Sequence, residues 1–253
     1  MVGVTGVVGS IEAHGVTLGY ERHPAVHHLH GCFRSGSLTA VVGPNGGGKS
    51  TLLKGIMGLL RPLEGRFVFN GVNRGDISYL PQIAEIDVDF PISVLDTVLL
   101  GHWRRVGAFG TLGPGLRIAA ARALSTVGLD GFAARPVGSL SGGQRQRVLF
   151  ARVLVADCPI ILLDEPFTSI DTRTTADLLD LVLRWHGEGR TVVAVLHDLD
   201  QVRRHFPEAL LLARKAVGWG AAADVLTEDN LRRARSMGEA WDQAAPVCDV
   251  VEP

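Results

Sequence analysis

Cysteine is scarce in this chain of 253 residues: there are three, Cys32, Cys158 and Cys248, and no two of them form a Cys-x-x-Cys pair. An odd, widely spaced set excludes a disulfide framework and suits a reducing cytosol. Long apolar runs are also missing. The strongest, near 159–163 and 191–196, fall far short of the roughly 18 residues that cross a bilayer. The first ten residues, MVGVTGVVGS, lack a basic flank and make a poor signal peptide. Any membrane role then requires a partner that supplies the spanning helices. Neither sign of charge dominates: the net charge is −1 and the isoelectric point about 6.8, so nothing draws the whole surface to nucleic acid or anionic lipid. Internal repeats and low-complexity tracts are absent.

What is present has the proportions of an ordinary soluble globular chain, 46% hydrophobic and 20% charged. The length suffices for one large domain or two small ones. Short β-branched runs alternate with longer helical stretches, the pattern of an α/β fold on a parallel sheet. LTAVV (38–42), IILL (160–163) and TVVAVL (191–196) read as buried strands. Helices are expected over about 49–59, from a Ser93 cap to Gly101, and over 143–155. GAFGTLGPGLR (107–117) reads as a loop, and roughly the last twenty residues carry little pattern.

Two stretches carry chemistry. GPNGGGKST (43–51) fits Gly-x4-Gly-Lys-[Ser/Thr] between an expected strand and an expected helix. Gly43, Gly46 and Gly48, with Pro44, Asn45 and Gly47 between them, let backbone N–H groups converge on a phosphate at the helix start. Lys49 would reach the β and γ phosphates, Ser50 would set its hydroxyl on Mg²⁺, and Thr51 follows in the same turn. A nucleoside triphosphate is the expected ligand. IILLDEP (160–166) runs an apolar strand into Asp164, suited to direct or water-mediated Mg²⁺ contact, and Glu165, on the opposite face, suited to polarising an attacking water.

LSGGQRQR (140–147) offers a second phosphate cradle at a helix start, from Ser141, Gly142 and Gly143, followed by Gln144. One nucleotide does not need two cradles from one chain, whereas two copies arranged head to tail would use one from each. Here the sequence resembles the ATP-binding cassette (ABC) family, over about residues 12–225. The resemblance implies a P-loop NTPase fold with a RecA-like core (about 10–82 and 157–225), an N-terminal antiparallel β-region, an inserted helical subdomain (about 83–156) and a tail (231–253). It implies an ATPase closing as a homodimer around two ATP with Mg²⁺, bound to an integral membrane permease at the cytoplasmic face of the membrane. By the same resemblance Tyr20 stacks on adenine, Gln82 touches the metal and the lytic water, Asp171 contacts the second chain and His197 meets the γ-phosphate. Gly47 replaces a usual Ala and Ile170 a usual Leu, departures that remove no catalytic group.

YLPQIAEIDVDFPISVLDTVLLG (79–101) is similar to the corresponding segment of bacterial zinc and manganese importers, through Glu85, Asp87, Phe90, Pro91, Val94, Asp96 and Val98. In that branch the segment forms the groove for a permease helix, and a separate metal-binding protein delivers cargo. The whole chain, including AWDQAAPVC near its end, looks nearest to zinc importer ATPases of actinobacterial type. The alternatives are the same ATPase serving manganese or iron-chelate uptake, a non-transport ABC ATPase, or a metal-binding regulatory module. The last rests on HPAVHHLHGC (23–32), four histidines and a cysteine in ten residues. As a regular strand it would put His28, His30 and Cys32 on one face and Leu29, Gly31 and Phe33 on the other, and a solvated strand face is the reading preferred over a metal site.

Overall fold

The structure is a computed structural model that describes residues 9–20, 23–83, 89–107, 110–168 and 170–242, without the side chains of Arg105 and 238–242. Glu85, Asp87, Ser169 and Cys248 lie outside the described residues.

Three of the expected strands form the centre. β3 (Leu38–Val42), β6 (Ile160–Asp164) and β7 (Thr191–Val195) are buried at every residue, as strands covered on both faces must be. They join β5 (Ile77–Leu80), β8 (Glu208–Ala213) and β9 (Lys215–Ala221) in one sheet of order β5-β6-β7-β3-β8-β9. The pairs from β5 to β8 are parallel, and β9 returns antiparallel on β8. Register decides where the chemistry falls. Val195 lies opposite both Val41 and Asp164, and Leu80 lies opposite Leu163. The strands therefore finish level, and the residues that follow them share one edge of the sheet, where open α/β sheets bind their ligands.

A second sheet is antiparallel, of order β2-β1-β4, from β1 (Ser10–Tyr20), β2 (His23–Phe33) and β4 (Glu64–Asn70). Its Ile11, Leu18, Leu29 and Phe33 share a buried cluster with Leu52, Leu53 and Ile56 of α1 (Lys49–Met57). Gly58 ends α1 with φ 76°, a left-handed cap that glycine adopts without penalty. Regular alternation fails in β2. Register shifts against β1 and a left-handed His28 (φ 45°) bury His27 beside Val26 and leave Gly31 exposed. Gly31 thus does not share the inward face with Leu29 and Phe33. His28 meets Glu64 (3.2 Å), the backbone N–H of Gly15 donates to His30 Nδ1 (3.3 Å), and Cys32 pairs across the strand with Glu12. Among the described residues no three metal-ligating side chains converge.

The inserted helices are α2 (Val94–Leu99), α3 (Trp103–Val106), α4 (Pro114–Thr126) and α5 (Gly142–Ala156). Ser93 caps α2 as expected, its Oγ accepting from the Asp96 N–H at 3.1 Å. The expected loop over 107–117 ends early, because Pro114 opens α4 rather than prolonging the loop. Proline's fixed φ suits the first helical position, where its missing N–H costs nothing. α6 (Thr172–Gly187) follows, and its Trp185, 1% exposed, stacks on Phe150 of α5 with ring centroids 5.8 Å apart. α7 (Leu199–His205) and α8 (Ala222–Val225) precede α9 (Glu228–Asp242). The tail is thus helical to residue 242, a correction to the patternless stretch expected there. α9 carries a stripe of Leu231, Ala234 and Met237, which packs on the main core. No helix among the described residues is long and apolar enough to cross a membrane.

Candidate nucleotide-binding and hydrolysis site

The loop between β3 and α1 has the geometry a phosphate cradle requires. Gly46 and Gly48 stand at φ 73° and 91°, in the left-handed region that other residues enter at a cost. Close approach explains other glycines. A Cβ on Gly43 would stand 1.9 Å from the Leu212 carbonyl oxygen, and one on Gly47 would stand 2.7 Å from the same atom. Gly47, where an alanine was the family expectation, is thus a fitted residue in this chain. The loop is stitched by Gly47 N–H donating to Pro44 O (3.1 Å) and Arg214 N–H donating to Gly47 O (2.9 Å).

Lys49 is 6% exposed, and its Nζ donates to Gly43 O (3.0 Å) and Pro44 O (2.8 Å). Burial pulls its pKa down, opposed by the charges of Glu165 and Asp164. Those same carbonyls keep the ammonium over the loop mouth, from which it can transfer to phosphate oxygens. A cavity of about 270 Å³ opens there, lined by Ala25, the loop from Asn45 to Thr51, and Glu165. Tyr20 ends β1 outside that lining and is 51% exposed.

The two acids after β6 differ as their positions require. Asp164 is fully buried; its Oδ1 accepts from Ser50 Oγ (2.9 Å) and its Oδ2 from the Tyr79 hydroxyl (3.2 Å). A buried carboxylate beside a serine hydroxyl is a hard-oxygen donor set, and it fits Mg²⁺. Glu165 turns outward through a left-handed backbone (φ 50°), a strained conformation for a non-glycine residue that recurs at functional sites. Its Oε1 lies 2.7 Å from His197 Nε2, and its Oε2 accepts from Thr168 Oγ1 at 3.3 Å. Burial raises the Glu165 carboxyl, but hydrogen bonds from His197, Gln82 and Thr168 outweigh it and hold the group below its ordinary value. The carboxylate is therefore ionised at neutral pH, the form a general base needs. Gln82, two residues past β5, and His197, two past β7, converge on Glu165 because the strands end level.

The signature stretch lies elsewhere. Ser141 caps α5: its Oγ accepts from the Gln144 N–H (3.3 Å), and Gln144 Oε1 accepts from the Ser141 N–H (3.0 Å). With Gly142 and Gly143 it stands outside the phosphate-loop cavity. A Cβ on Gly143 would lie 3.7 Å from Ile170 Cγ2 and 4.0 Å from Asp171 Oδ2, so these two stretches adjoin. Asp171 caps α6, with Oδ1 accepting from the Thr174 N–H (2.9 Å) and Oδ2 from Thr174 Oγ1 (2.7 Å). Sequence reasoning missed the contacts of Tyr79 with Asp164 and of Gln146 with the Pro166 carbonyl (2.6 Å). No spacing rule signals either pair. Cys158 is buried, and its thiol is pushed up to about 11 by that burial, so it is inert.

The ABC transporter family matches residues 26–168. The manganese transport system ATP-binding protein MntB of Listeria monocytogenes is 39% identical over 228 residues, covering 88% of this chain and 95% of its own. The zinc transport system ATP-binding protein TroB of Treponema pallidum is 35% identical over 238 residues, covering 92% and 90%. Among solved structures, a candidate metal-chelate type ABC transporter in an inward-facing conformation superposes with a TM-score of 0.79 at 31% identity, covering 90% of this chain and 89% of that one. The ATP-binding cassette MJ0796, solved as a post-hydrolysis dimer bound to ADP and Pi, superposes with a TM-score of 0.75 at 27% identity, covering 84% and 98%. With the phosphate loop, the paired acids and the signature helix in their places, the chain belongs to the ABC transporter family and is an ABC transporter ATPase.

Proposed function

We propose that this ATPase powers import of a divalent transition metal, zinc foremost, through a separate membrane permease. The observation that carries this reading is the near full-length similarity to relatives named for manganese and zinc transport. A surface groove of about 640 Å³ supports it, with exposed Leu59, Leu100 and Trp103 along its lining, since an apolar groove of that kind suits a helix offered by a permease. Zinc is preferred for the resemblance of the whole chain to actinobacterial-type zinc importer ATPases. Manganese is the second reading, favoured by the 39% identity to MntB.

The working unit is a head-to-tail homodimer. One chain lines the phosphate-loop cavity without its own signature helix, so Ser141, Gly142, Gly143 and Gln144 of a second copy would complete each site. Asp171, beside that helix, would meet the partner. In each site Tyr20 would stack on adenine, Lys49 and the loop amides would neutralise phosphate charge, and Ser50, Asp164 and Gln82 would hold Mg²⁺. When bound, that ion would supply positive charge against the phosphates. Glu165 would take the proton of the attacking water, with His197 and Gln82 orienting the reacting groups.

Metal accumulation in a strain deleted for this chain tests the cargo. The proposal expects loss of zinc uptake, restored by the wild type and not by Lys49→Ala. Loss of manganese uptake alone would establish the second reading, and unchanged uptake of zinc, manganese and iron would overturn metal import altogether.

A further inference from the structure

Asp164 is held from two directions, and one of them has no counterpart in the motif chemistry. Ser50 reaches its Oδ1 from the first turn of α1, while the Tyr79 hydroxyl donates to its Oδ2 from the neighbouring strand β5. A carboxylate terminus rotates in a broad torsional well, so a single contact on one oxygen leaves its plane free to swing. Two donors on opposite oxygens fix it. Full burial also removes the water that would compete for either oxygen.

Tyr79 is itself anchored. Its backbone lies in the ladder opposite Leu162 of β6, and its carbonyl accepts from Arg152 Nη2 of α5 at 3.2 Å. The residue also lines the groove that holds Leu100, Trp103 and Arg152, none of which lines the phosphate-loop cavity. One residue thus joins that groove, where its carbonyl meets Arg152, to Asp164, which its hydroxyl meets. α5, which begins at the signature serine, grips the same region twice, through Arg152 on Tyr79 and Gln146 on Pro166.

We infer that Tyr79 is a positioning residue of the ATPase site: its hydroxyl sets the Asp164 carboxylate so that Oδ1 faces Ser50 and the cation of the bound nucleotide. The inference rests on the proposed role of Asp164 toward Mg²⁺. Hydrogen-bond partners of metal-ligating groups typically carry about 10–100-fold in metal affinity or activity. Tyr79→Phe keeps the ring packed on the buried cluster of β1, β2 and α1 and deletes only the donor.

The test is binding of a fluorescent ATP analogue to the full chain, with Mg²⁺ and with EDTA, for wild type, Tyr79→Phe and Asp164→Asn. Circular dichroism verifies that each is folded. Tyr79→Phe is expected to weaken binding about tenfold in Mg²⁺ and to leave binding in EDTA unchanged, with the Mg²⁺ concentration for half-maximal ATPase rising in parallel. Wild-type affinity of Tyr79→Phe in Mg²⁺, with Asp164→Asn weakened, would overturn the inference. So would equal weakening in Mg²⁺ and EDTA, which marks a merely structural role. A wild type that binds equally in both media would overturn the magnesium assignment and the inference with it.

Discussion

Replacing Gly48 by alanine tests the geometry of the phosphate loop, with Gly46→Ala as its internal control. Gly48 sits at φ 91°, ψ 10°, immediately before α1, where an L side chain costs about 1–2 kcal/mol. An added Cβ would also stand 2.3 Å from the Ala25 carbonyl oxygen and 2.7 Å from Val26 Cγ2, both on β2. Such overpacking adds about 1–3 kcal/mol, for a total of about 2–5 kcal/mol. Gly46 shares the left-handed backbone at φ 73°, but nothing lies within 4 Å of its Cβ position. Its alanine variant should lose only the strain, about 1–2 kcal/mol. In a chain of this size each kcal/mol lowers Tm by about 2–4 °C, so falls of about 4–20 °C and 2–8 °C are expected. Calorimetry without nucleotide is the proper assay, because ATP would add its own binding free energy to the folded state. A Gly46→Ala loss equal to or larger than that of Gly48→Ala would refute the packing of the small sheet against the loop.

Trp185→Ala should destabilise the fold by about 3–5 kcal/mol, since the ring is 1% exposed and stacked on Phe150; a loss below about 1 kcal/mol in urea titration would contradict that packing. The depressed pKa of Glu165 sets a pH dependence with a definite sign. Ionised Glu165 contributes stability that is fully present above its ordinary value of 4.5 and is lost as pH falls through the lower folded value. The Tm gap between wild type and Glu165→Gln should therefore be flat from neutral pH down to about pH 5 and shrink below it; a gap that begins to close near pH 7 would mean that the carboxyl is raised instead.

The parts of the site legible in the sequence are those whose chemistry forces residues to be adjacent. The spacing of residues 43–51 alone marks a cradle of consecutive amides, whereas Asp164 and Glu165 follow directly on a strand as many solvated turns do and take their meaning from the phosphate loop upstream. Gln82 and His197 came only with the family resemblance; the physical reason they meet Glu165 is strand register, which no single segment contains. Tyr79 stayed hidden because it touches Asp164 across 85 positions of sequence. Regularity assumed in β2 failed at the left-handed His28, since a bulge shifts the faces without leaving a composition signal. α4 and α9 were obscured by their own composition: Gly and Pro crowd the start of one, and a narrow apolar stripe leaves the other polar overall.

The central claim is that Glu165, turned into the phosphate-loop cavity, is the base for ATP hydrolysis. Glu165→Gln keeps the size and hydrogen-bonding reach of the side chain and removes the proton acceptor. The measurement is steady-state ATPase activity together with size exclusion in ATP and Mg²⁺. The account predicts that the variant binds ATP with an affinity near that of the wild type, loses turnover by about 10²–10⁴-fold and elutes as a dimer that the wild type does not accumulate. Turnover at the wild-type rate, with the variant remaining monomeric in ATP, would contradict it.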